Sequence, residues 1–319
     1  MIIRSFLILL SMSFTLHSEE NFGIVVHGGA GVMSGLSEKA QQEIHKNIQE
    51  TVSKAYAILE GGGSSLDAVE HAVSMLEDSP LFNAGRGSVY NSDEVQEMDA
   101  SIMDGKDRLT GAIASVSIIK NPIKLARKVA EETKHVLLVG EGAERFAKDV
   151  GGEIVDKDYF HHEERYQRVL NSKKQISKSM QSSDKIGTVG AVALDRNGNI
   201  AAATSTGGMT NKMPGRVGDS PIIGSGTWAQ NGVCGVSSTG HGEFFIKYQV
   251  AREVCVRIEY LNQTLSDSAE SIISELNALE AKGGLIAIDH MGKISTPFNT
   301  KGMIRGSQTN KTELKSYIY

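Results

Sequence analysis

The chain has 319 residues and a formal net charge of −5, with 40% hydrophobic and 22% charged residues. This composition is that of an ordinary globular protein, and the length is sufficient to bury a core without a disulfide framework. The mild acidity, together with the lack of a dense Lys/Arg patch, argues against nucleic acid as a partner.

The first residues have the features of an export signal. Arg4 provides a positive charge, and Phe6–Leu16 is an apolar stretch that is too short to cross a bilayer comfortably. Cleavage is plausible after Ser18, and no cysteine follows the apolar stretch that could carry a lipid anchor. A buried first helix is the alternative. We expect 1–18 to be a signal peptide, and 19–319 to be an exported domain, periplasmic or secreted, without a membrane anchor.

The first half of the mature chain is predicted to contain short strands and helices. An apolar strand at Phe22–Val26 runs into a glycine turn, HGGAG, and Ser37 can cap a helix that ends at Glu60 before three glycines. Further signals predict, in chain order, a helix at 65–77, a rigid loop at 79–91, two strands within 100–119, a helix at 121–132, an apolar segment at 135–140 and a helix at 141–148.

The second half follows a polar run, NSKKQISKSMQSSDK, which is interpreted as a flexible connector, and it is richer in strands. The pair Asn197-Gly198 is a strong hairpin signal between two apolar runs. Because helices come in blocks between hairpins, and not in strict βαβ alternation, the pattern favours an α+β fold with antiparallel sheets and helices outside. The predicted elements are strands at 188–194 and 200–205, a strand at 233–239, helices at 243–261 and 266–282, and a final hairpin within 283–299.

One strand begins in an unusual place, because Thr188 starts it directly after Gly187 and the polar connector. Thr188, Thr204, Thr206 and Thr239 all lie at or near ends of predicted strands, although threonine is also common in strands generally. A hydroxyl needs a base to act as a nucleophile, and the sequence places no His or Asp beside Thr188. A freed α-amine, with a pKa of about 7.7–8.0, could serve. We therefore expect cleavage between Gly187 and Thr188.

The turn PGRVGDSP places Arg216 and Asp219 between glycines. Two interpretations remain open at this point. The two side chains could form a surface ion pair, which would contribute ~0–1 kcal/mol. Alternatively, they could be a fixed pair of opposite charges that holds an amino-acid group, since Arg offers a planar fork to a carboxylate and Asp offers oxygens to an ammonium.

The two cysteines, Cys234 and Cys255, allow a disulfide in an exported protein. Free cysteines are often buried, and two buried free thiols are the prediction. No Cys/His spacing typical of a metal site occurs, and neither HGGAG nor GEGAE matches a phosphate-binding loop.

Several motifs together resemble the plant-type asparaginase and isoaspartyl peptidase family of N-terminal-nucleophile hydrolases. The resemblance extends over almost the whole mature chain and leaves out only the signal segment and the connector. The motifs are HGGAG, LEDSPLFNAGRGSVYN, GTVGAVALD, AAATSTGGMTNKMPGRVGDSPIIGSG, SSTGHGE and GGLIAIDHMGKISTPFNTKGMIRG.

The resemblance implies a four-layer αββα sandwich whose precursor cuts itself between Gly187 and Thr188. The products would be an alpha subunit, 19–187, with a flexible connector at 171–187, and a beta subunit, 188–319. The enzyme would release L-aspartate from β-aspartyl dipeptides and L-asparagine, without a cofactor for catalysis, as a dimer of alpha–beta heterodimers. Glycosylasparaginase activity, or a non-catalytic exported protein that binds amino acids, are the alternatives.

The same resemblance implies a role for each matching residue. Thr188 would be the nucleophile, Thr206 would position it, and Asn83 would lie near the reacting centre. Thr239 and Gly240 would form the oxyanion hole. The substrate carboxylate would bind Arg216, and its ammonium would bind Asp219 and the carbonyl of Gly240. A sodium ion would be held by the main-chain carbonyls of Leu76, Glu77, Ser79, Phe82, Ala84 and Arg86.

Overall fold

The computed structural model describes residues 20–174, except 32 and 34, and residues 187–319. The predicted signal peptide and most of the predicted connector lie outside the described residues, so both stay predictions. No helix within the described ranges is long and apolar enough to cross a membrane.

Two β-sheets lie face to face in the described part of the chain. The larger sheet has the strand order β12-β11-β1-β5-β6-β2-β3-β4, and the smaller has the order β10-β9-β8-β7. All neighbouring strands are antiparallel except β3 and β4. The strands are β1 Gly23–Gly31, β2 Met98–Asp104, β3 Thr110–Val116, β4 Leu137–Val139, β5 Val189–Leu194, β6 Ile200–Thr206, β7 Thr227–Gln230, β8 Cys234–Gly240, β9 Gly283–Asp289, β10 Ile294–Ser295, β11 Gly302–Thr309 and β12 Thr312–Tyr317.

Helices cover the outer face of each sheet. They are α1 Glu38–Glu60, α2 Ser65–Asp78, α3 Pro122–Glu132, α4 Gly140–Asp149, α5 Glu163–Lys174, α6 Gly242–Tyr248, α7 Val250–Leu261 and α8 Leu265–Ala278. The first begins where the sequence predicts, because the side chain of Ser37 accepts a hydrogen bond from the amide of Ala40 at 3.2 Å.

Side-chain alternation along the central strands creates two separate cores. On β1, Ile24 and Val26 belong to the core beneath α1–α4, whereas Val25 belongs to the core between the two sheets. On β5, Ala191 and Val192 divide in the same way. Helices α7 and α8 pack on the other face of the smaller sheet. The order of layers is therefore helix, sheet, sheet, helix, which confirms the predicted α+β fold and its four-layer αββα architecture.

Several predicted boundaries are wrong for local reasons. HGGAG is part of β1 and not a turn, although the strand changes register between His27 and Gly29. The helix predicted at 243–261 is two helices, because Gln249 adopts a left-handed φ of 48° between them. The helix predicted at 266–282 ends at Ala278. The predicted connector begins too early, since its first four residues form the end of α5.

The prediction of two free thiols is also wrong. Cys234 and Cys255 form a disulfide, with their Cα atoms 5.6 Å apart. Cys234 begins β8, and Cys255 lies on α7, which packs directly on that strand. The packing brings the two residues within the usual Cα separation of a disulfide. The two cysteines are 21 residues apart, with the rest of β8 and the whole of α6 between them, and the sequence does not show that they are close in space.

Candidate active site

The hairpin of β5 and β6 places Thr188 beside Thr206 at the middle of the larger sheet. Thr188 directly precedes β5, and Thr206 is the last residue of β6. The Oγ1 atom of Thr188 donates a hydrogen bond to Oγ1 of Thr206 at 3.0 Å, and both residues are buried. Oγ1 of Thr206 also accepts a hydrogen bond from the amide of Gly208 at 2.9 Å. These contacts fix the direction of the Thr188 hydroxyl within the intact chain.

The peptide that precedes Thr188 lies against the ends of β1 and β8. A Cβ atom on Gly187 would lie 3.2 Å from Oγ1 of Thr239, which itself accepts a hydrogen bond from the amide of Ala30 at 3.4 Å. Gly29 has a φ of +103°, and a Cβ atom there would overlap main-chain atoms of Gly187. Glycine at position 29 is therefore needed both for its backbone conformation and for the close approach of Gly187.

Thr239 and Gly240 are the last two residues of β8, so both predicted oxyanion residues lie at one strand end. Gly240 has a φ of +154°, and a Cβ atom there would lie 2.5 Å from the carbonyl oxygen of Lys282. A side chain at this position would force β8 away from its neighbour.

Asn83 lies beside the residues that follow β6. Its Nδ2 atom donates to the carbonyl of Gly208 at 2.7 Å, and its Oδ1 atom accepts from the amide of Val89 at 3.0 Å. The amide of Gly207 donates to the main-chain carbonyl of Asn83 at 3.1 Å. Because the amide of Gly208 donates to the hydroxyl of Thr206, Gly208 links Asn83 to Thr206, and Thr206 in turn binds Thr188.

Sequence reasoning missed His27, a buried histidine on β1 that lies close to the main chain of Thr188. Its Nε2 atom is 3.0 Å from Oγ of Ser237, which in turn is 2.7 Å from Oγ1 of Thr204. Burial lowers the pKa of His27 to about 3, while the Thr188 main chain acts in the opposite direction. The imidazole is therefore neutral at ordinary pH. The expectation that no histidine lies beside Thr188 is wrong, although the contact is to its main chain and not to its hydroxyl.

His27 is the polar residue that follows the apolar run FGIVV, and this position was the signal in the sequence that could have identified it. Gly190 lies opposite it on β5, and a Cβ atom at this glycine would overlap both Oγ of Ser237 and Nε2 of His27. The glycine therefore leaves the space that the histidine and serine occupy between the sheets.

The carboxyl group of Asp219 is buried, and no donor among the described residues bonds its Oδ2 atom. Burial raises the pKa of Asp219 to about 7, while a main-chain hydrogen bond and the charge of Arg216 act against the shift. Arg216 forms its ion pair with a residue that the sequence analysis did not consider, Glu243. A Cβ atom on Gly242 would lie 2.9 Å from Oδ1 of Asp219 and 3.0 Å from Nη2 of Arg216.

Of the two interpretations of Arg216 and Asp219, the surface ion pair is wrong. Both side chains line one glycine-walled space beside Gly242, at the start of α6. Gly242 follows Gly240 by two residues, a reach of about 7 Å at most. The opposite charges therefore lie close to the end of β8.

The loop between α2 and β2 has the character expected of a cation site made of main-chain carbonyls. A Cβ atom on Gly85, whose φ is +50°, would overlap the carbonyl of Glu77, and one on Gly87 would overlap the carbonyl of Phe82. The carbonyl of Ala84 accepts a hydrogen bond from the amide of Gly87 at 3.0 Å and keeps a second lone pair. Main-chain carbonyl oxygens are ligands that suit an alkali cation. Sodium binding by this loop stays a prediction.

The chain is an αββα sandwich with a threonine at the head of a central strand, a glycine before it and further hydroxyls around the joining peptide. These features together are those of an N-terminal-nucleophile hydrolase. A sequence model of the asparaginase family matches residues 20–318, and the chain belongs to that family.

Its relatives have consistent names. It is 46% identical over 292 residues to the isoaspartyl peptidase of Escherichia coli (strain K12), covering 88% of this chain and 91% of that protein. It is 46% identical over 273 residues to the isoaspartyl peptidase/L-asparaginase of Rattus norvegicus, covering 84% of this chain and 80% of that protein. The protein of the same name from Homo sapiens is 44% identical over 273 residues, and the match covers 84% of this chain and 87% of that protein.

Proposed function

We propose that this protein is a self-processing amidohydrolase that releases L-aspartate from β-aspartyl (isoaspartyl) dipeptides and from L-asparagine. The observation that supports this most directly is the hydrogen bond from Oγ1 of Thr188 to Oγ1 of Thr206, at 3.0 Å, on the residue that follows Gly187. The names of the relatives support the same reaction class and the same substrates.

Self-cleavage would use the hydroxyl of Thr188 against the peptide that joins it to Gly187. The hydroxyl oxygen attacks the carbonyl carbon of Gly187, the peptide bond breaks, and the hydroxyl proton passes to the departing nitrogen. Water then hydrolyses the resulting ester. This leaves a carboxylate on Gly187 and both a free amine and a free hydroxyl on Thr188. Oγ1 of Thr239, which lies close to Gly187, would stabilise the oxyanion of this step.

Turnover would use the same hydroxyl, with the new α-amine of Thr188 as its base. The hydroxyl attacks the β-amide carbonyl of the substrate, and the amine carries its proton to the leaving nitrogen. Water then releases L-aspartate from the acyl-enzyme. Donors from Thr239 and Gly240 would stabilise the tetrahedral oxyanion, and each such donor typically contributes about 3–4 kcal/mol.

The charged pair would select an α-amino acid. The unpartnered Oδ2 atom of Asp219 suits the substrate ammonium, and the guanidinium of Arg216 suits its carboxylate. β-Aspartyl dipeptides and asparagine present these same two groups and differ only in the leaving amine. No contact among the described residues specifically favours glycosylasparaginase activity or a binding protein that never matures.

Three further features belong to this proposal. The sequence of 1–18 supports export of the mature chain. The carbonyl-rich loop around Gly85 supports a structural sodium ion. The family resemblance supports assembly of two alpha–beta heterodimers.

Intact-mass measurement of the purified protein tests the proposal most directly. The wild type should give two chains, the result of cleavage between Gly187 and Thr188. Thr188→Ala should give one uncut chain. The processed wild type should release aspartate from a β-aspartyl dipeptide and from asparagine. An uncut wild type that binds aspartate would instead support the binding protein, and release of aspartate only from glycosylated asparagine would support glycosylasparaginase.

A further inference from the structure

The guanidinium of Arg216 is held along one edge by Glu243, the second residue of α6. Nε of Arg216 donates to Oε1 of Glu243 at 3.0 Å, and Nη2 donates to Oε2 at 2.9 Å. Two parallel hydrogen bonds to one carboxylate fix both the plane of the guanidinium and the direction in which it points. The Nη1 end of the guanidinium takes no part in this pair.

The two Nη atoms of Arg216 lie against glycines, and Nη2 lies beside the same glycine as the carboxyl group of Asp219. A Cβ atom on Gly218 would lie 2.8 Å from Nη1, and one on Gly242 would lie 3.0 Å from Nη2. The guanidinium therefore packs directly on main chain that only glycine leaves bare. The side chain of Arg216 is 16% exposed, whereas that of Glu243 is 52% exposed. Glu243 is therefore the solvent-exposed partner of a guanidinium that is itself largely buried.

The negative charge of Glu243 has a second consequence. Its carboxylate neutralises Arg216 before any substrate binds, so the ionised carboxylate of Asp219 is the unmatched charge of the space. A ligand that carries both a carboxylate and an ammonium satisfies both residues. A ligand that carries the carboxylate alone leaves Asp219 unmatched and buried, which is costly.

We propose that Glu243 is a positioning residue of the substrate site: it holds the Nε–Nη2 edge of Arg216 so that the other end meets the α-carboxylate, and it makes the site selective for zwitterionic α-amino acids over β-amides that lack the α-amine. This inference rests on the proposed function. It adds a residue that acts on substrate through Arg216 and does not touch the reacting atoms.

Glu243→Gln is the sharpest test, because the amide keeps the shape but loses the charge and one acceptor. The expected result is a KM for a β-aspartyl dipeptide raised about tenfold, with kcat changed less than about twofold. Glu243→Asp should recover part of the loss. The preference for asparagine over succinamate, which lacks the α-amine, should fall by about tenfold as well.

A matched ion pair on the outer helix layer provides the control. Glu253 accepts from Nε of Arg257 at 3.0 Å, and these side chains are 38% and 13% exposed. Glu253→Gln should therefore leave KM and the substrate preference unchanged. Both variants should cut themselves at Gly187 as the wild type does, which shows that they fold.

Binding of L-aspartate, measured by calorimetry on processed wild type and on Glu243→Gln, separates this inference from the proposed function. A wild type that binds aspartate without hydrolysing dipeptides would contradict the proposed function. The ratio of the aspartate affinities of wild type and Glu243→Gln would still test the role of Glu243. Weaker binding by the variant supports the inference. An unchanged or lower KM, unchanged aspartate binding, a loss confined to kcat, or a wild type that does not bind aspartate would each overturn it.

Discussion

Oγ1 of Thr188 donates a hydrogen bond to Oγ1 of Thr206 across the β5–β6 hairpin, at 3.0 Å, while the chain between Gly187 and Thr188 is still continuous. The acceptor is itself held by the amide of Gly208. The hydroxyl is thus oriented by neighbours on the larger sheet before any α-amine exists. A single arrangement can serve both the cleavage that creates the amine and the turnover that uses it.

Thr206→Val should slow both reactions, because valine keeps the shape of threonine but cannot accept the hydrogen bond from Thr188. We expect self-cleavage and kcat to fall by about 100-fold, the lower end of what a positioned proton-transfer partner contributes. Intact mass against time measures the first and steady-state kinetics the second. Thr312→Val, on the outer strand β12, is the control. If Thr206→Val cleaved itself at the wild-type rate, the hydrogen bond between Thr188 and Thr206 would not be needed for cleavage.

Gly29→Ala should prevent cleavage, because the new methyl group would overlap the main chain of Gly187. Gly232→Ala is the matched control: its φ of +77° carries similar backbone strain, but no atom lies within 4 Å of the added Cβ. Both variants should lose about 1–2 kcal/mol of stability from the strained backbone. Only Gly29→Ala should remain uncut by intact mass, and equal processing of the two would show that the contact with Gly187 is unimportant.

The pKa of Asp219, raised to about 7, makes substrate binding and stability respond to pH in opposite directions. Ammonium binding needs the ionised carboxylate, so KM for a β-aspartyl substrate should fall as pH rises through about 7. Burial favours the protonated form in the folded state. The stability that the protonated Asp219 contributes is therefore fully present below the ordinary pKa of an aspartate, 3.8, and is lost as pH rises through about 7.

Asp219→Asn separates these two effects. The neutral amide should lose the ammonium site and bind substrate poorly at every pH. It should also remove the fall in stability of the wild type between pH 4 and 7, because no buried charge has to form. Melting temperatures of the two proteins at several pH values provide the measurement. Parallel curves for both would show that Asp219 does not titrate in this range.

The disulfide should stabilise the fold without serving the site. Cys234 begins β8, whereas Thr239 and Gly240 end it, about 17 Å away along the strand. Replacing both cysteines by serine should cost about 2–4 kcal/mol of unfolding free energy. The variant should still cut itself and keep its KM. Denaturant unfolding and kinetics at a temperature well below the transition test both parts, and a failure to process would place the disulfide in the catalytic architecture.

The sequence predicted the parts of the site that lie on short motifs, and it missed those made by distant pairing. Thr188 was visible because a predicted strand begins at a threonine directly after Gly187, and Arg216 with Asp219 because glycines bracket them. The contact of Glu243 with Arg216 spans 27 residues and two strands, β7 and β8. His27 meets Ser237 across 210 residues and two sheets. Local patterns carry no information about which strand ends will face each other.

The same limit explains the errors in the fold. The cysteine pair depends on the packing of a helix on a strand, and burial alone is equally compatible with free thiols. The helix break at Gln249 has no glycine or proline to announce it, since the residue adopts a left-handed conformation that glycine or asparagine usually occupies. The α+β class, by contrast, was predicted from the order of helices and hairpins along the chain, and the four-layer αββα arrangement was implied by the family resemblance.

The α-amine of Thr188 should be the base in turnover, and it is the one basic group that the intact chain does not possess. It must be unprotonated to accept the hydroxyl proton, so kcat should rise with pH through its pKa, which is about 7.7–8.0 for an ordinary α-amine and lower where the site is desolvated. Co-expressed halves, 19–187 and 188–319, allow a single residue to be added before Thr188. The preparation that retains an initiator methionine there should be folded but inactive, because its nitrogen is an amide. The preparation that has lost the methionine should be active. Equal activity in the two would place the base elsewhere, and the freed amine would no longer explain why this strand begins at a threonine.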